Sequence, residues 1–337
     1  MPLPPITILP IFDPDLTVIK TIVKLTTENN NTFMFDFIGD IHGHADKLIE
    51  LLEKLGYSQV NGIYQHTSRK AFFIGDFIDR GPQIRETLGI VRPMIESGNA
   101  LAIMGNHEYN ALCFHHEERD GGHLRKHLII NIIQHFETLK QFQNRQDEYE
   151  DYLEWFKTLP LYYETSNFRA VHACWDNNHI NYLRSILKHD RLNETILHQS
   201  VRMGTRLYYI FDETLKGKEI LMPKGLTFAD KDGNVRNEIR VKWWVDPAQS
   251  TYREISVLPI KNLPEGKLRI SETNHLNPYS EKERPVFFGH YWLTGTPQLL
   301  RENICCLDFS VAKQGYLAAY RFDGEGTLSN DKFIFVQ

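Results

Sequence analysis

Short apolar runs alternate with amphipathic segments through the first half of the chain. Phe33-Met34-Phe35-Asp36-Phe37-Ile38 is rich in aromatic residues and stops at Gly39-Asp40, which predicts a strand. Ala45 to Leu55 places Leu48, Ile49, Leu51, Leu52 and Leu55 at helical spacing. Asn61-Gly62 predicts a hairpin turn. Ala71-Phe72-Phe73-Ile74 is a second buried strand, again closed by Gly-Asp. A helix over about 83–97 leads to a third strand, Ala100-Leu101-Ala102-Ile103-Met104, closed by Gly105-Asn106. Strand, helix, strand, helix requires crossover connections and a sheet that is at least partly parallel.

Later segments are less regular. Residues 107–158 read as mostly helical, a stretch long for a simple crossover. Leu161-Tyr162-Tyr163 and Phe168-Arg169-Ala170-Val171 read as paired strands around Ser166-Asn167. Residues 177–215 read as helices. Beyond 219 the strand-like runs are Glu238 to Val245, Val286 to Phe288, Ile304 to Phe309, Tyr316 to Phe322 and Phe333 to Val336. Residues 1–32 read as an extension ending in the polar run Glu28-Asn29-Asn30-Asn31. The expected organisation is that extension followed by one domain over 33–337. A helical segment at 107–160 and an insertion at about 176–285 would shape the substrate site.

Composition narrows the function classes. With 42% hydrophobic residues in 337, the chain can bury a sizeable core. A net charge of −5 is a poor basis for binding nucleic acid, and no apolar run approaches the roughly 20 residues of a membrane span. The prolines and aspartates of MPLPPITILPIFDPD interrupt any signal-like apolar core. Four cysteines, two of them the adjacent Cys305 and Cys306, are too few for a disulfide framework. The expectation is a cytoplasmic protein, with a monomer favoured.

The chemistry sits at the strand ends. Three strands run into Gly followed by an oxygen- or nitrogen-bearing side chain: Gly39-Asp40-Ile41-His42-Gly43, Gly75-Asp76-Phe77-Ile78-Asp79-Arg80-Gly81 and Gly105-Asn106-His107-Glu108. Ala170-Val171-His172 and Phe288-Gly289-His290 repeat the event with histidine. Ligands in open α/β sheets bind beyond the carboxyl ends of strands. Asp40, His42, Asp76, Asp79, Arg80, Asn106 and His107 should therefore converge on one cleft. A lone strand-end Asp is usually a turn or cap residue. A block with the five fixed positions G-D-x-x-D-R-G arises by chance only about once in ten thousand chains of this length. The pooled set of Asp40, His42, Asp76, Asn106, His172 and His290 suits Mn, Fe or Zn, and is too large for one tetrahedral ion. It fits two ions sharing a carboxylate.

These blocks resemble the calcineurin-like metallophosphoesterase superfamily. Within it they resemble the phosphoprotein phosphatase branch, which includes Ser/Thr protein phosphatases and symmetrical dinucleoside tetraphosphatases. The resemblance implies an α/β fold, a four-layer α/β/β/α sandwich, with a dinuclear centre at the sheet edges. It implies Asp40 and His42 on a first metal, Asp76 bridging, and Asn106, His172 and His290 on a second. The ions would be Mn, with Fe or Zn as alternatives, and a metal-bridging hydroxide would attack the phosphorus directly. Arg80 matches the arginine that clamps phosphate oxygens, His107 the histidine near the leaving group, and Asp79 the carboxylate that orients it. The expected partner is a phosphorylated substrate, a phosphoprotein or a nucleotide, with no membrane or nucleic acid.

Some positions depart from that pattern. The fourth block reads His172-Ala173-Cys174-Trp175 rather than H-G-G. The second phosphate-binding cation is open, with Arg240, Lys242 and Arg253 as candidates. Trp244-Val245-Asp246-Pro247 resembles the W-x-D-P of protein phosphatases, whereas Leu307-Asp308-Phe309-Ser310 resembles a tetraphosphatase run. The expected function is therefore phosphomonoester hydrolysis, with a phosphoprotein as substrate. The alternatives are a dinucleoside polyphosphate hydrolase and, from another class, an inactive phospho-ligand-binding module. Tyr208, Tyr209, Trp243 and Trp244 could stack a base, although burial in a core suits them better.

Two other patterns carry no function. Cys113 to Arg119 matches C-x5-R, but its glutamates and histidines do not suit a phosphate-binding loop. His123 and His127, i and i+4 on an expected helix, lack a third ligand.

Overall fold

A computed structural model describes residues 34–188, 191–229, 235–261 and 263–337. The extension expected at 1–32 lies outside them. Strands β1 (Met34–Ile38), β4 (Arg69–Phe73) and β5 (Ala100–Ala102) are parallel neighbours in one sheet. Helices α1 (Ala45–Leu55) and α2 (Ile84–Glu96) lie between them in sequence. On the other side of β1 the sheet continues antiparallel through β15 (Tyr316–Phe322), which also pairs with β14 (Asp308–Phe309) and β16 (Phe333–Val336). The second sheet runs β13 (Ile304–Cys306), β12 (Val286–Phe288), β7 (Arg169–Val171), β6 (Tyr162–Glu164). The Asn61-Gly62 turn joins β2 (Ser58–Val60) to β3 (Ile63–Gln65), with both turn residues at positive φ.

Side-chain alternation explains the layering. In β1, Phe35 and Phe37 face the second sheet, while Ile38 faces the helices. Phe37 stacks on Phe287 with centroids 3.7 Å apart, and Phe168 closes edge-on at 5.0 Å. In β12, Phe287 points into the space between the sheets and Val286 and Phe288 point away from it. The outer face of the first sheet is covered by Leu48, Leu51 and Leu52 of α1 and Leu88 and Val91 of α2. Ile180 and Leu183 of α6 (Asn177–Ile186) and Phe211 of α8 (Arg206–Lys216) share a buried cluster with Val286 and Phe288. The helices of 107–160 are α3 (Asn106–His115), α4 (Ile129–Gln141) and α5 (Gln146–Phe156), and α7 (Glu194–Ser200) lies between α6 and α8. This is the α/β sandwich expected from the sequence.

Three expectations need correction. The run Ile304 to Phe309 is not one strand: β13 belongs to the second sheet and β14 to the first. Leu307 makes the switch, because its N–H still donates to Phe288 O at 2.7 Å while Asp308 and Phe309 already pair with β15. The strand expected over Glu238 to Val245 stops at Arg240. Trp243 and Trp244 both pack against Phe288, which alternation along a strand would forbid. His123 and His127 lie in the loop before α4, stacked 3.9 Å apart, rather than on a helix.

The segment after α8 has a small core of its own. It contains β8 (Glu219–Leu221), β9 (Phe228–Ala229), β10 (Val235–Arg236) and β11 (Glu238–Arg240), then the short helices α9 (Tyr252–Ile255) and α10 (Ile270–Thr273). Strand β11 pairs antiparallel with β8, and Ile220 and Ile239 pack with Val241, Tyr252 and Ile255.

Candidate metal and phosphate site

The strand ends singled out above converge around the buried Asp76, and Arg80, Asn106, His107 and His290 line one cleft beside it. The turns after β1 and β4 are stitched together, since Ile41 and His42 N–H both donate to Asp76 O at 3.1 and 2.9 Å. Glu108 holds the next turn. Its buried carboxylate accepts the N–H groups of Gly105, Asp76 and Phe77 at 2.8–3.0 Å. Burial, then the neighbouring Asp76, pushes the Glu108 carboxyl up to about 7. Close approach accounts for two of the motif glycines. A Cβ on Gly289 would strike Asp40 Oδ1, and one on Gly105 would strike Asp76 Oδ1. His42, Asp76, Asp79, Arg80 and His290 all have φ between 46° and 72°. Left-handed conformations are costly for such residues and gather where surrounding structure enforces them.

The donor atoms form two groups that share Asp76. His42, Asp76 and His107 make one, and Asp76, His172 and His290 the other, with the ligand atoms of each within 4.8 Å of one another. Asn106 joins the second, its Oδ1 lying 3.0 Å from His172 Nε2 and 2.6 Å from His290 Nδ1. Ligand atoms held about 2.1 Å from one ion lie roughly 3 to 3.5 Å apart, so this spacing suits a cation. The outer hydrogen bonds set the tautomers. His42 Nδ1 donates to Ile78 O at 3.0 Å and His172 Nδ1 to Ile74 O at 2.8 Å, which turns each Nε2 towards Asp76. Asp40 stands beside these groups: its Oδ2 accepts His290 N–H at 2.9 Å. Asp40 Oδ1 and His42 Nε2 are buried without a hydrogen-bond partner. Orphaned acceptors of this kind fit a bound divalent ion.

The electrostatics point the same way. Burial alone would raise the Asp76 carboxyl, but the surrounding imidazoles, His172 first, hold it well below the usual carboxylate range. Burial would likewise lower His172, and Asp76 instead pushes it up to about 10. Burial and then His107 bring His42 down to about 3, leaving a neutral ring. Burial, then Asp308, raises Asp40. A carboxylate field this strong holds cations of any kind, protons included.

Beside the metal-ligating atoms, His107 Nδ1 donates to Asp79 Oδ2 at 2.5 Å, and its Nε2 lies 4.0 Å from Asp76 Oδ2. Arg80 stacks over Trp292 at 4.6 Å. Arg240 donates to His290 Nε2 at 2.9 Å and to Glu219 at 3.0 Å. The cleft measures about 1000 Å³, and Arg80, Arg125, Lys216, Arg236, Arg240 and Lys313 line it. Lys242 and Arg253 do not. Neither do the proposed stacking residues: Trp243 and Trp244 are buried in the core, and Phe228, Tyr291, Trp292, Phe309 and Tyr316 are the Phe, Tyr and Trp residues at the wall. Cys113 is buried, which pushes its thiol up to about 12 and removes any tendency to form a thiolate.

Several residues here were not singled out from sequence. His135 and Thr138 hold Asp79, and Trp292 supports Arg80. Nothing local sets His135 and Thr138 apart, because Asn131, Gln134 and Glu137 are polar too in the stretch Ile129 to Leu139.

Lys218, just before β8, is tied to the α6 N-cap: its Nζ donates to Asp176 Oδ2 at 2.6 Å, both side chains being buried. Burial would raise Asp176, and Lys218 outweighs it to give a lowered value. The unfolded chain therefore takes up this proton first as pH falls. The stabilisation is complete above the unfolded value of about 3.9 and is lost as pH drops through the folded one. Asp176→Asn should flatten the acid limb of a denaturation series carried from about pH 5 down to about pH 2. Its cost at pH 7 should stay below the ~3–5 kcal/mol of an abandoned buried charge, because Glu213 remains 3.4 Å from Lys218.

Comparison with known proteins agrees with the motifs. The family model for calcineurin-like phosphoesterase matches residues 33–258. A symmetrical bis(5'-nucleosyl)-tetraphosphatase of Marinomonas sp. is 29% identical over 303 residues, covering 87% of this chain and 94% of that protein. The asymmetrical bis(5'-nucleosyl)-tetraphosphatase PrpE of Oceanobacillus iheyensis is 31% identical over 139 residues, 41% of this chain. The match spans about half of that relative, 54% of its length. Among solved structures, a protein serine/threonine phosphatase from Saccharomyces cerevisiae with similarity to human phosphatase PP5 has a TM-score of 0.50 at 14% identity. It covers 91% of this chain and 81% of its own, and shares the fold. On the family match and the motifs it contains, the chain belongs to the calcineurin-like phosphoesterase family.

Proposed function

We propose that the chain is a metal-dependent phosphoester hydrolase acting on phosphomonoesters, with a phosphoprotein as the leading substrate. The observation that carries this reading is the pair of donor groups sharing Asp76 next to the His107–Asp79 pair. In it, Asp40, His42 and Asp76 hold one divalent ion, and Asp76, Asn106, His172 and His290 the other. The donors are oxygens and imidazoles without thiolate, which favours Mn, with Fe or Zn as alternatives. When bound, such ions neutralise phosphate charge and activate water.

The protein's own groups do the rest. Arg80 presents a planar fork to two phosphate oxygens, pre-set by stacking on Trp292. Arg240 is the best of the three candidates for the second phosphate contact, since it lines the cleft and Lys242 and Arg253 do not. His107, its Nδ1–H fixed on Asp79, gives the leaving oxygen a proton from Nε2. A placed proton donor matters most for a poor leaving group such as an alkyl oxygen, and this favours the monoester. The four cysteines are buried and free, in keeping with a cytoplasmic setting.

A second reading is hydrolysis of dinucleoside polyphosphates. It is favoured by the six cationic side chains along the cleft, more than one phosphate needs. Leu307-Asp308-Phe309-Ser310 also reaches the cleft through Phe309 and Ser310, whereas Asp246 of the W-x-D-P run caps a turn elsewhere. The names of the two tetraphosphatase relatives point in the same direction. Competition between phosphopeptides and diadenosine tetraphosphate, with Mn supplied, separates the two. Preferential turnover of the peptide supports the first reading and of the dinucleotide the second. Turnover of neither, nor of p-nitrophenyl phosphate, leaves the inactive binding module.

A further inference from the structure

We infer that His135, assisted by Thr138, is a positioning residue for proton donation to the leaving group: it locks the Asp79 carboxylate that aims His107. The inference rests on the hydrolase reading above and adds to it a device outside the family motifs. Asp79 is buried and makes four hydrogen bonds to three residues. Its Oδ2 accepts from His107 Nδ1 at 2.5 Å. Its Oδ1 accepts from His135 Nδ1 at 2.7 Å and from Thr138 Oγ1 at 2.5 Å. Its own N–H donates to Thr138 Oγ1 at 3.0 Å. His135 is fixed in turn, because with Nδ1 donating, its Nε2 accepts from the Tyr149 hydroxyl at 2.8 Å. The chain His107, Asp79, His135, Tyr149 thus runs from the cleft through α4 into α5.

The physical argument concerns freedom of rotation. A carboxylate held by one imidazole can turn about its Cβ–Cγ bond and present either oxygen, or neither, to His107. Two donors on Oδ1 stop that rotation and leave Oδ2 directed at His107 Nδ1. Asp79 sits at φ 68°, a backbone conformation that must itself be held, and the N–H to Thr138 bond holds it. His107 Nε2 is then kept at one place over the cleft. Misplacing a reacting group by about 1 Å can cost on the order of a hundredfold in rate.

The test compares two esters that differ in leaving-group acidity and little in shape, phenyl phosphate and p-nitrophenyl phosphate, on the Mn-loaded full chain. His135→Leu should lower kcat for phenyl phosphate by at least about tenfold with KM unchanged, and for p-nitrophenyl phosphate by less than about threefold. His135→Asn, which keeps an N–H donor near the Nδ1 position, should recover most of the loss. Thr138→Val should show the same selectivity with smaller amplitude, and it decides the matter if His135→Leu does not fold. Equal losses on both esters, or no loss on either, overturn the inference. A wild-type chain that hydrolyses neither ester defeats the hydrolase reading instead. In that case the low-field Nδ1 proton resonance of His107 in the zinc-loaded protein decides. The resonance is expected to persist in His135→Asn and disappear in His135→Leu, and its persistence in His135→Leu refutes the positioning role.

Discussion

Asp76→Asn is expected to lower turnover at least about a hundredfold and to reduce bound metal below the two ions per chain that the proposed centre would hold. Asp76 is the one carboxylate common to both donor groups. Its Oδ2 lies 3.3 Å from His172 Nε2 and 3.7 Å from His42 Nε2. Asparagine matches its volume and can still accept the His107 backbone N–H, which Asp76 Oδ1 now takes at 2.9 Å. The fold should therefore survive, while the negative charge that draws cations to the centre is lost. Elemental analysis of the purified variant, run beside the kinetics, checks both halves. A variant that keeps two ions and a near-normal rate would remove Asp76 from the bridging role.

His107→Ala should also lower kcat by about a hundredfold, and for a different reason. The imidazole reaches the cleft through Nε2 and is held by Asp79 through Nδ1. In the proposed role, its removal takes away the proton for the leaving oxygen. If His107 is not a ligand, KM and metal content should stay close to those of the parent. That separates the two histidine roles, since His172→Ala should strip an ion. The outcome matters because His42, Asp76 and His107 by themselves satisfy the spacing of a cation site. Loss of one ion in His107→Ala would move His107 from proton donor to ligand.

The regular layers were legible because apolar periodicity is a local property. Leu48, Leu51, Leu52 and Leu55 announce the face of α1, and β1 announces its alternation. Legibility failed where one residue serves two neighbours. Leu307 bonds to one sheet while the next two residues pair with the other, and nothing in a six-residue run that is apolar but for Asp308 encodes that division. Trp243 and Trp244 looked like strand because they are aromatic, yet both pack on Phe288 in a turn. The cation for the second phosphate contact was open among three residues of similar chemistry. Only the pairing of β11 with β8 brings Arg240 to His290 and leaves Arg253 on a short helix away from the cleft.

The amino-acid order alone marked the candidate inventory of the site: which side chains at strand ends carry donor atoms, most of them at or just after a glycine. Chemistry and spacing are written residue by residue, so they survive without coordinates. The tertiary structure decided which of those side chains face one another, that His135 and Thr138 reach back some sixty positions to Asp79, and that Trp292 comes to lie beneath Arg80. Those relations depend on how helices and sheets stack, and stacking is set by buried surfaces contributed from the whole chain rather than by any single segment.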